Sequence, residues 1–254
     1  MNNKLVALVC VAALAFTACK SRVAPLVAEL KCIPPANDTN EPITVRNESG
    51  ALGTIERLDP ALDDLLPKRA VIEKLAHGFN WSEGPVWMPA GYLLFSDVPL
   101  NTIFKWVPQG GVSIFIQPSG YSGTVPRGGE PGSNGLTRDK QGRLIACQHG
   151  DRRVARWENG KWVALADRFE GKRFNSPNDA VVKSNGDIYF TDPPYGLVKN
   201  VNDPAKEIPF QGVYRVTPDG KVTLLTSEVT RPNGLAFSPD EKILYVASSD
   251  PRKA

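Results

Sequence analysis

Four short segments of the chain share one chemistry. Ser82-Glu83-Gly84-Pro85-Val86, Ser133-Asn134-Gly135-Leu136-Thr137, Pro177-Asn178-Asp179-Ala180-Val181 and Pro232-Asn233-Gly234-Leu235-Ala236 each set a side-chain oxygen just before a short apolar run. The four oxygen-bearing residues, one carboxylate and three amides, recur about every 50 residues, close to the repeat lengths of radially built β proteins. Carboxylate and amide oxygens are the donors of a hard cation. A ring of Glu83, Asn134, Asn178 and Asn233 therefore suits Ca²⁺ first, with Mg²⁺, Mn²⁺ or Zn²⁺ as alternatives. Asn-Gly is also ordinary turn chemistry, because Asn bonds its own backbone and Gly tolerates positive φ, and this accounts for Asn134 or Asn233 taken singly. It accounts neither for Glu in the first repeat nor for Asp179 after Asn178, so the set is read as a cation or ligand site.

Other common chemistries lack their residues. There is no Gly-x-Ser-x-Gly elbow, no glycine-rich phosphate loop leading into a helix and no Cys-x-x-Cys pair. His77 and His149 are the only histidines, too few for an imidazole zinc site and weak support for a serine triad. The net charge of +3, from 30 basic and 27 acidic residues, is spread along the chain without a basic block, which argues against nucleic acid.

The elements that would position the ring are short strands. With 41% hydrophobic and 22% charged residues the chain has the composition of a globular protein, and its 22 Gly and 22 Pro fall between apolar runs, the pattern of turn-rich β structure. Strands are expected at Val71–Leu75, Val86–Met88, Tyr92–Ser96, Thr102–Val107 and Val112–Ile116. A second group covers Gly135–Thr137, Leu144–Gln148, Val154–Trp157 and Trp162–Ala166. A third covers Ala180–Val182, Ile188–Thr191, Gly212–Val216 and Val222–Thr226, with an insertion from Asp192 to Phe210. A fourth opens with Leu235–Phe237 and Ile243–Ala247. Four strands per repeat is the composition of a propeller blade, so the fold is all-β, with about three and a half blades present over residues 70–254. A twisted sandwich is the alternative. Trp81, Trp87, Trp106, Trp157 and Trp162 fall on strands and are expected to pack in the core or between blades.

Residues 1–18 form an export signal: a basic start to Lys4, an apolar stretch from Leu5 to Phe16, then Thr17-Ala18 before Cys19. Small residues before a cysteine resemble a bacterial lipobox, with Phe16 where that motif usually has Leu. Cys19 would then be acylated and the protein held in the periplasm on a membrane surface without a spanning helix; plain secretion is the alternative. Residues 19–69 read as a tether and lead-in. Cys32 and Cys147 remain as a disulfide pair or as two free buried thiols.

At this point the motifs carry a resemblance. Phe79-Asn80-Trp81-Ser82-Glu83-Gly84-Pro85-Val86-Trp87, Arg173-Phe174-Asn175-Ser176-Pro177-Asn178-Asp179, Phe190-Thr191-Asp192-Pro193-Pro194-Tyr195-Gly196 and Pro232-Asn233-Gly234-Leu235-Ala236-Phe237-Ser238 resemble the gluconolactonase and senescence marker protein (regucalcin) family, its bacterial gluconolactonases most. The resemblance implies a six-bladed β-propeller with one divalent cation on its axis that hydrolyses a small-molecule sugar lactone to the aldonic acid. It implies Glu83 and Asn233 as metal ligands and Asn178 at both metal and substrate. Asn134 falls on the substrate side with Arg173, although Ser176-Pro177 separates Arg173 from the matching position. The family's proton-transfer Asp belongs to a fifth blade. The chain is expected to stop short of it, so no catalytic residue is assigned, Asp250 is not promoted, and low activity is expected of the chain as written. The loop Tyr121–Gly132, with Arg127 and Glu130, either covers the sugar hydroxyls or is solvated surface; His149 either approaches the substrate or only satisfies a loop, and the second reading is favoured. A sugar- or sugar-acid-binding module without turnover, or a structural scaffold, are the alternatives to a lactonase.

Overall fold

A computed structural model of the protein describes residues 53–251 and, ahead of them, the strand β1 (Leu5–Leu8). The first sheet is an antiparallel meander of β2 (Ser82–Met88), β3 (Tyr92–Asp97), β4 (Thr102–Val107) and β5 (Gly111–Ile116). The second repeats it with β6 (Ser133–Arg138), β7 (Leu144–Gln148), β8 (Arg153–Glu158) and β9 (Lys161–Ala166). A hairpin of β10 (Arg168–Phe169) and β11 (Lys172–Arg173) leads to the third sheet: β12 (Ala180–Val182), β13 (Ile188–Asp192), β14 (Gly212–Val216) and β15 (Val222–Thr226). β16 (Pro232–Phe237) and β17 (Leu244–Ser248) begin a fourth, and β1 runs parallel beside β17.

Local chemistry sets these hairpins. β8 turns into β9 through Asn159-Gly160 at φ 48° and 77°, two successive left-handed residues that match the twist of the strands. Glu170-Gly171, at φ 49° and 79°, does the same for the small β10–β11 hairpin, which the sequence pattern missed because each strand is only two residues long.

The first strand of each sheet packs against the first strand of the next: β2 on β6, β6 on β12, β12 on β16. The core lies between the sheets. Met88, Leu94, Ile103 and Ile116 of the first meet Leu136, Leu144 and Ala146 of the second. Ile145, Cys147 and Val154 meet Phe190, Tyr214 and Val216 of the third, and Tyr189 and Val213 meet Leu244 and Val246 of the fourth. Meanders stacked face to face about one axis, inner strand against inner strand, are blades of a β-propeller, as the strand pattern predicts.

Val71–Leu75 differs from expectation. It is not a strand: Val71 and Ile72 are 58% and 46% exposed, and among the described residues no strand is paired with the segment. It runs instead past a hollow of about 360 Å³ beside the first blade, lined by Leu75, Phe79, Glu83, Phe95 and Trp106. The expected packing of Trp81 and Trp87 is likewise corrected, because among the described residues the first blade has no blade on that side and both indoles are exposed. Trp157 and Trp162 do pack between blades, edge to face at 5.1 Å. Of the lead-in, residues 60–64 form a short 3₁₀ turn capped by Asp59. Apart from Leu5–Leu8, the expected signal, Cys19 and Cys32 lie outside the described residues. Cys147 is a free, fully buried thiol.

Inner strands approach each other too closely for side chains. A Cβ on Gly135 would sit 2.5 Å from Asp179 Oδ1 and 2.6 Å from the Asn178 carbonyl oxygen. Backbone cannot retreat as a side chain does, so Gly135→Ala is expected to destabilise the fold by ~2 kcal/mol or more, read as a lower denaturant midpoint at unchanged slope. A midpoint equal to that of the parent would show that the blades have slack at the axis.

Candidate metal centre

The four repeated motifs meet in ring order. Gly84 backs onto the second motif, where an added Cβ would lie 2.3 Å from the Asn134 carbonyl oxygen and 2.6 Å from the Leu136 nitrogen. Gly135 N–H donates to the Asn178 carbonyl at 2.7 Å. Asp179 Oδ2 accepts from Leu235 N–H at 3.2 Å and faces Gly234. Hydroxyls on the second strands fasten the same row: Ser96 Oγ donates to the Asn134 carbonyl at 2.9 Å and Thr191 Oγ1 to the Asn233 carbonyl at 2.8 Å.

The strands are irregular at these points. Pairing slips between Glu83 and Val86, between Ser133 and Leu136, and between Pro232 and Leu235. Such bulges break the alternation of faces and re-aim side chains. In the third blade β12 starts only at Ala180, and Asn178 and Asp179 exchange hydrogen bonds with Thr191 instead. The sequence shows the oxygens, while the bulges that turn them become visible only in the pairing.

Each candidate side chain has a definite setting. Glu83 is half-buried, and its Oε1 accepts from Trp81 Nε1–H at 2.9 Å. Asn178 is 2% exposed; its Nδ2 lies 3.4 Å from His149 Nε2, while its Oδ1 is buried with no hydrogen-bond partner. Asn233 donates through Nδ2 to Ser249 Oγ at 2.9 Å, so its amide oxygen is turned away from Ser249. Asn134 is buried beside them. Arg173 is not brought into the row, since its backbone N–H goes to Glu207 and its guanidinium to the Asp151 carbonyl at 2.9 Å. Asp250 accepts from Thr230 Oγ1 at 2.8 Å and fastens the approach to β16.

These residues fit a hard cation. A buried amide oxygen without a partner is costly unless something binds it, and here it stands in a row with a carboxylate and a second amide. Among the described residues no three His, Cys, Asp or Glu side chains converge. Glu83, Asn178 and Asn233 would hold the ion.

Several contacts of the site escape the sequence, although Arg127, Glu130 and His149 are singled out there one by one. Glu130 Oε2 stands 3.1 Å from His149 Nδ1. The loop that carries Glu130 is docked, because Arg127 donates to the Gly150 and Gly196 carbonyls and lies over the Tyr121 ring. The Tyr195 hydroxyl, beside Ser249 and Arg231, is buried without a well-formed hydrogen bond. Asp97 and Asp192 occupy one place in two blades and were legible as the repeated Phe-Ser-Asp and Phe-Thr-Asp. Asp97 accepts from Asn80 N–H, and Asp192 from Asn175 and Ser176 N–H, all at 2.8 Å, so each holds the segment entering a motif.

Burial raises the pKa of these carboxyls. For Asp192 it outweighs the two N–H donors and the charges of Arg152 and Lys206, carrying the pKa from 3.8 to about 7; for Asp179 it outweighs the Leu235 and Ala180 N–H donors and carries it to about 6. The folded chain holds these protons where the unfolded chain releases them. The stabilisation is complete below 3.8 and is lost as pH rises through about 6 and 7. The thermal midpoint is therefore expected to fall from about pH 5.5 to about pH 8, and Asp192→Asn to flatten that slope. A midpoint that rises across the interval would contradict this reading.

The fold and the row define a β-propeller with a row of amide and carboxylate side chains at its inner edge. The family described as the SMP-30/gluconolactonase/LRE-like region matches residues 81–254, and the chain belongs to it. It is 44% identical over 204 residues to the gluconolactonase of Zymomonas mobilis, covering 78% of this chain and 57% of that protein. A lactonase of Staphylococcus aureus, drp35, is 37% identical over 117 residues, 43% of this chain and 33% of its own length. The solved structure of a gluconolactonase from Xanthomonas campestris superposes with a TM-score of 0.65 at 32% identity, over 84% of this chain and 67% of that one. The chain thus spans a little over half the length of its Zymomonas relative.

Proposed function

We propose that the protein is a divalent-cation-dependent lactonase acting on a sugar lactone, with Ca²⁺ as the preferred ion. The observation that carries this reading is the buried, unpartnered Oδ1 of Asn178, in one row with Glu83 and Asn233. The names of the Zymomonas and Xanthomonas relatives supply the reaction class.

When bound, the cation supplies Lewis-acid polarisation of the lactone carbonyl. The chain's own residues do the rest. Asn178, walled in by His149 and Thr191, keeps a dry, fixed dipole at the inner end of the third blade. Tyr195 and Arg231 stand beside Ser249, the partner of Asn233, and would offer donors to sugar hydroxyls, while the docked Tyr121–Gly132 loop brings Glu130 against His149. In the net reaction water adds to the carbonyl carbon, the ring C–O bond breaks, and the aldonic acid leaves with a new hydroxyl. The acid is released as its carboxylate and a proton, so turnover can be followed by pH.

The test is hydrolysis of glucono-δ-lactone by the protein with Ca²⁺ or with chelator. Activity is expected to need the cation, and Glu83→Gln to lower kcat/KM by about 100-fold, the loss expected when a charged ligand becomes neutral. A rate unmoved by both chelator and Glu83→Gln would overturn the assignment. Gluconate-dependent thermal stabilisation without turnover would replace it with a binding module.

A further inference from the structure

We infer that His149, oriented by Glu130, is a positioning residue that fixes which way round the Asn178 amide stands, and so keeps its oxygen free for the cation. This rests on the cation reading above and names how the site is held in register.

His149 is fully buried, and its backbone N–H donates to the Gly132 carbonyl at 3.1 Å. Its ring is confined by Gly196: a Cβ there would lie 2.5 Å from His149 Cβ and 2.8 Å from its Cγ. The two ring nitrogens face different partners. Nδ1 lies 3.1 Å from Glu130 Oε2, though not aligned as a hydrogen bond, and Nε2 lies 3.4 Å from Asn178 Nδ2. A carboxylate beside Nδ1 favours a proton on that nitrogen, which leaves a lone pair on Nε2 in the neutral ring. A lone pair accepts only from the NH₂ side of an amide. Rotating the Asn178 amide would set its oxygen against that lone pair, acceptor against acceptor, so the orientation with Nδ2 toward His149 is the one retained. The oxygen is then left buried and unpartnered, as observed.

The order of influence is Glu130 to His149 to Asn178 to the ion. It is the arrangement by which residues behind a metal site orient its ligands, here with an amide as the oriented group. Glu130 comes from the loop between the first two blades and His149 from the turn between β7 and β8 of the second, so the Asn178 ligand of the third blade is set by its neighbour.

Ca²⁺ binding to the protein, measured by calorimetry with the metal alone, tests this without reference to turnover. His149→Phe keeps a ring but has no acceptor and is expected to weaken Ca²⁺ by about 10–100-fold. His149→Gln carries an acceptor at similar reach and is expected to restore most of that loss. The parent protein without cation gives a second readout, since ¹⁵N shifts of its histidine ring should report the Nδ1–H tautomer. A parent that binds Ca²⁺ with a His149→Phe variant of equal affinity, or an Nε2–H tautomer in the parent, overturns the inference alone. A parent that binds no Ca²⁺ overturns the cation reading and this inference with it.

Discussion

At the inner edge of the sheets the backbones of successive blades come close enough to exclude a side chain, and this approach governs what the rest of the structure does. Gly84 lies against the Asn134–Leu136 backbone and Gly135 against Asn178 and Asp179. The residue after the candidate ligand is therefore glycine in the first two motifs, while Gly234 of the fourth meets only Asp179 Oδ2 at 3.7 Å; in the third motif it is Asp179, whose carboxylate reaches the next blade and accepts from Leu235 N–H. Contact this close needs the strands to leave regular pairing, and the bulges that permit it also swing Glu83, Asn134 and Asn233 off the usual alternation. Blade-to-blade packing and site geometry have one cause.

The hydrophobic clusters between sheets hold that approach in place. Each cluster joins one blade to the next, so a blade is stable only as part of a stack. The polar fastenings follow the same rule. Ser96 and Thr191 each bond a carbonyl of the next motif, while Cys147 takes the matching place in the second blade as a buried thiol whose pKa burial pushes up. Asp97 and Asp192 hold the segments entering the first and third motifs, at the cost of keeping carboxyls where water does not reach. Burial raises their pKa because the desolvation of a charge outweighs the few N–H groups that solvate it.

Much of this was legible in the chain. Strands announced themselves through apolar runs between Gly, Asn and Pro turns, since each blade spends its apolar residues on two covered faces. The recurrence of Glu83, Asn134, Asn178 and Asn233 was legible because the ring repeats one local problem in each blade. What stayed hidden depends on contacts between parts far apart in sequence. Glu130 and His149 were legible singly and Tyr195 stood within a quoted motif, but that they meet is set only by the docking of the Tyr121–Gly132 loop against Gly150 and Gly196. Arg173 stands two residues out of step with its motif, and at the end of the β10–β11 hairpin its guanidinium donates to the Asp151 carbonyl instead. Val71–Leu75 and Trp81 have the residue types of packed strands, but what they become is set by a neighbour they lack among the described residues.

The central claim is that the inner-edge row is a single cation centre built from Glu83, Asn178 and Asn233. Anomalous diffraction from crystals of the protein soaked in Mn²⁺ addresses it most directly, because the ion's position is read without assuming its ligands. The account predicts one strong peak bounded by the Glu83 carboxylate and the amide oxygens of Asn178 and Asn233. A peak elsewhere, or none at these residues with Mn²⁺ in excess, would contradict it.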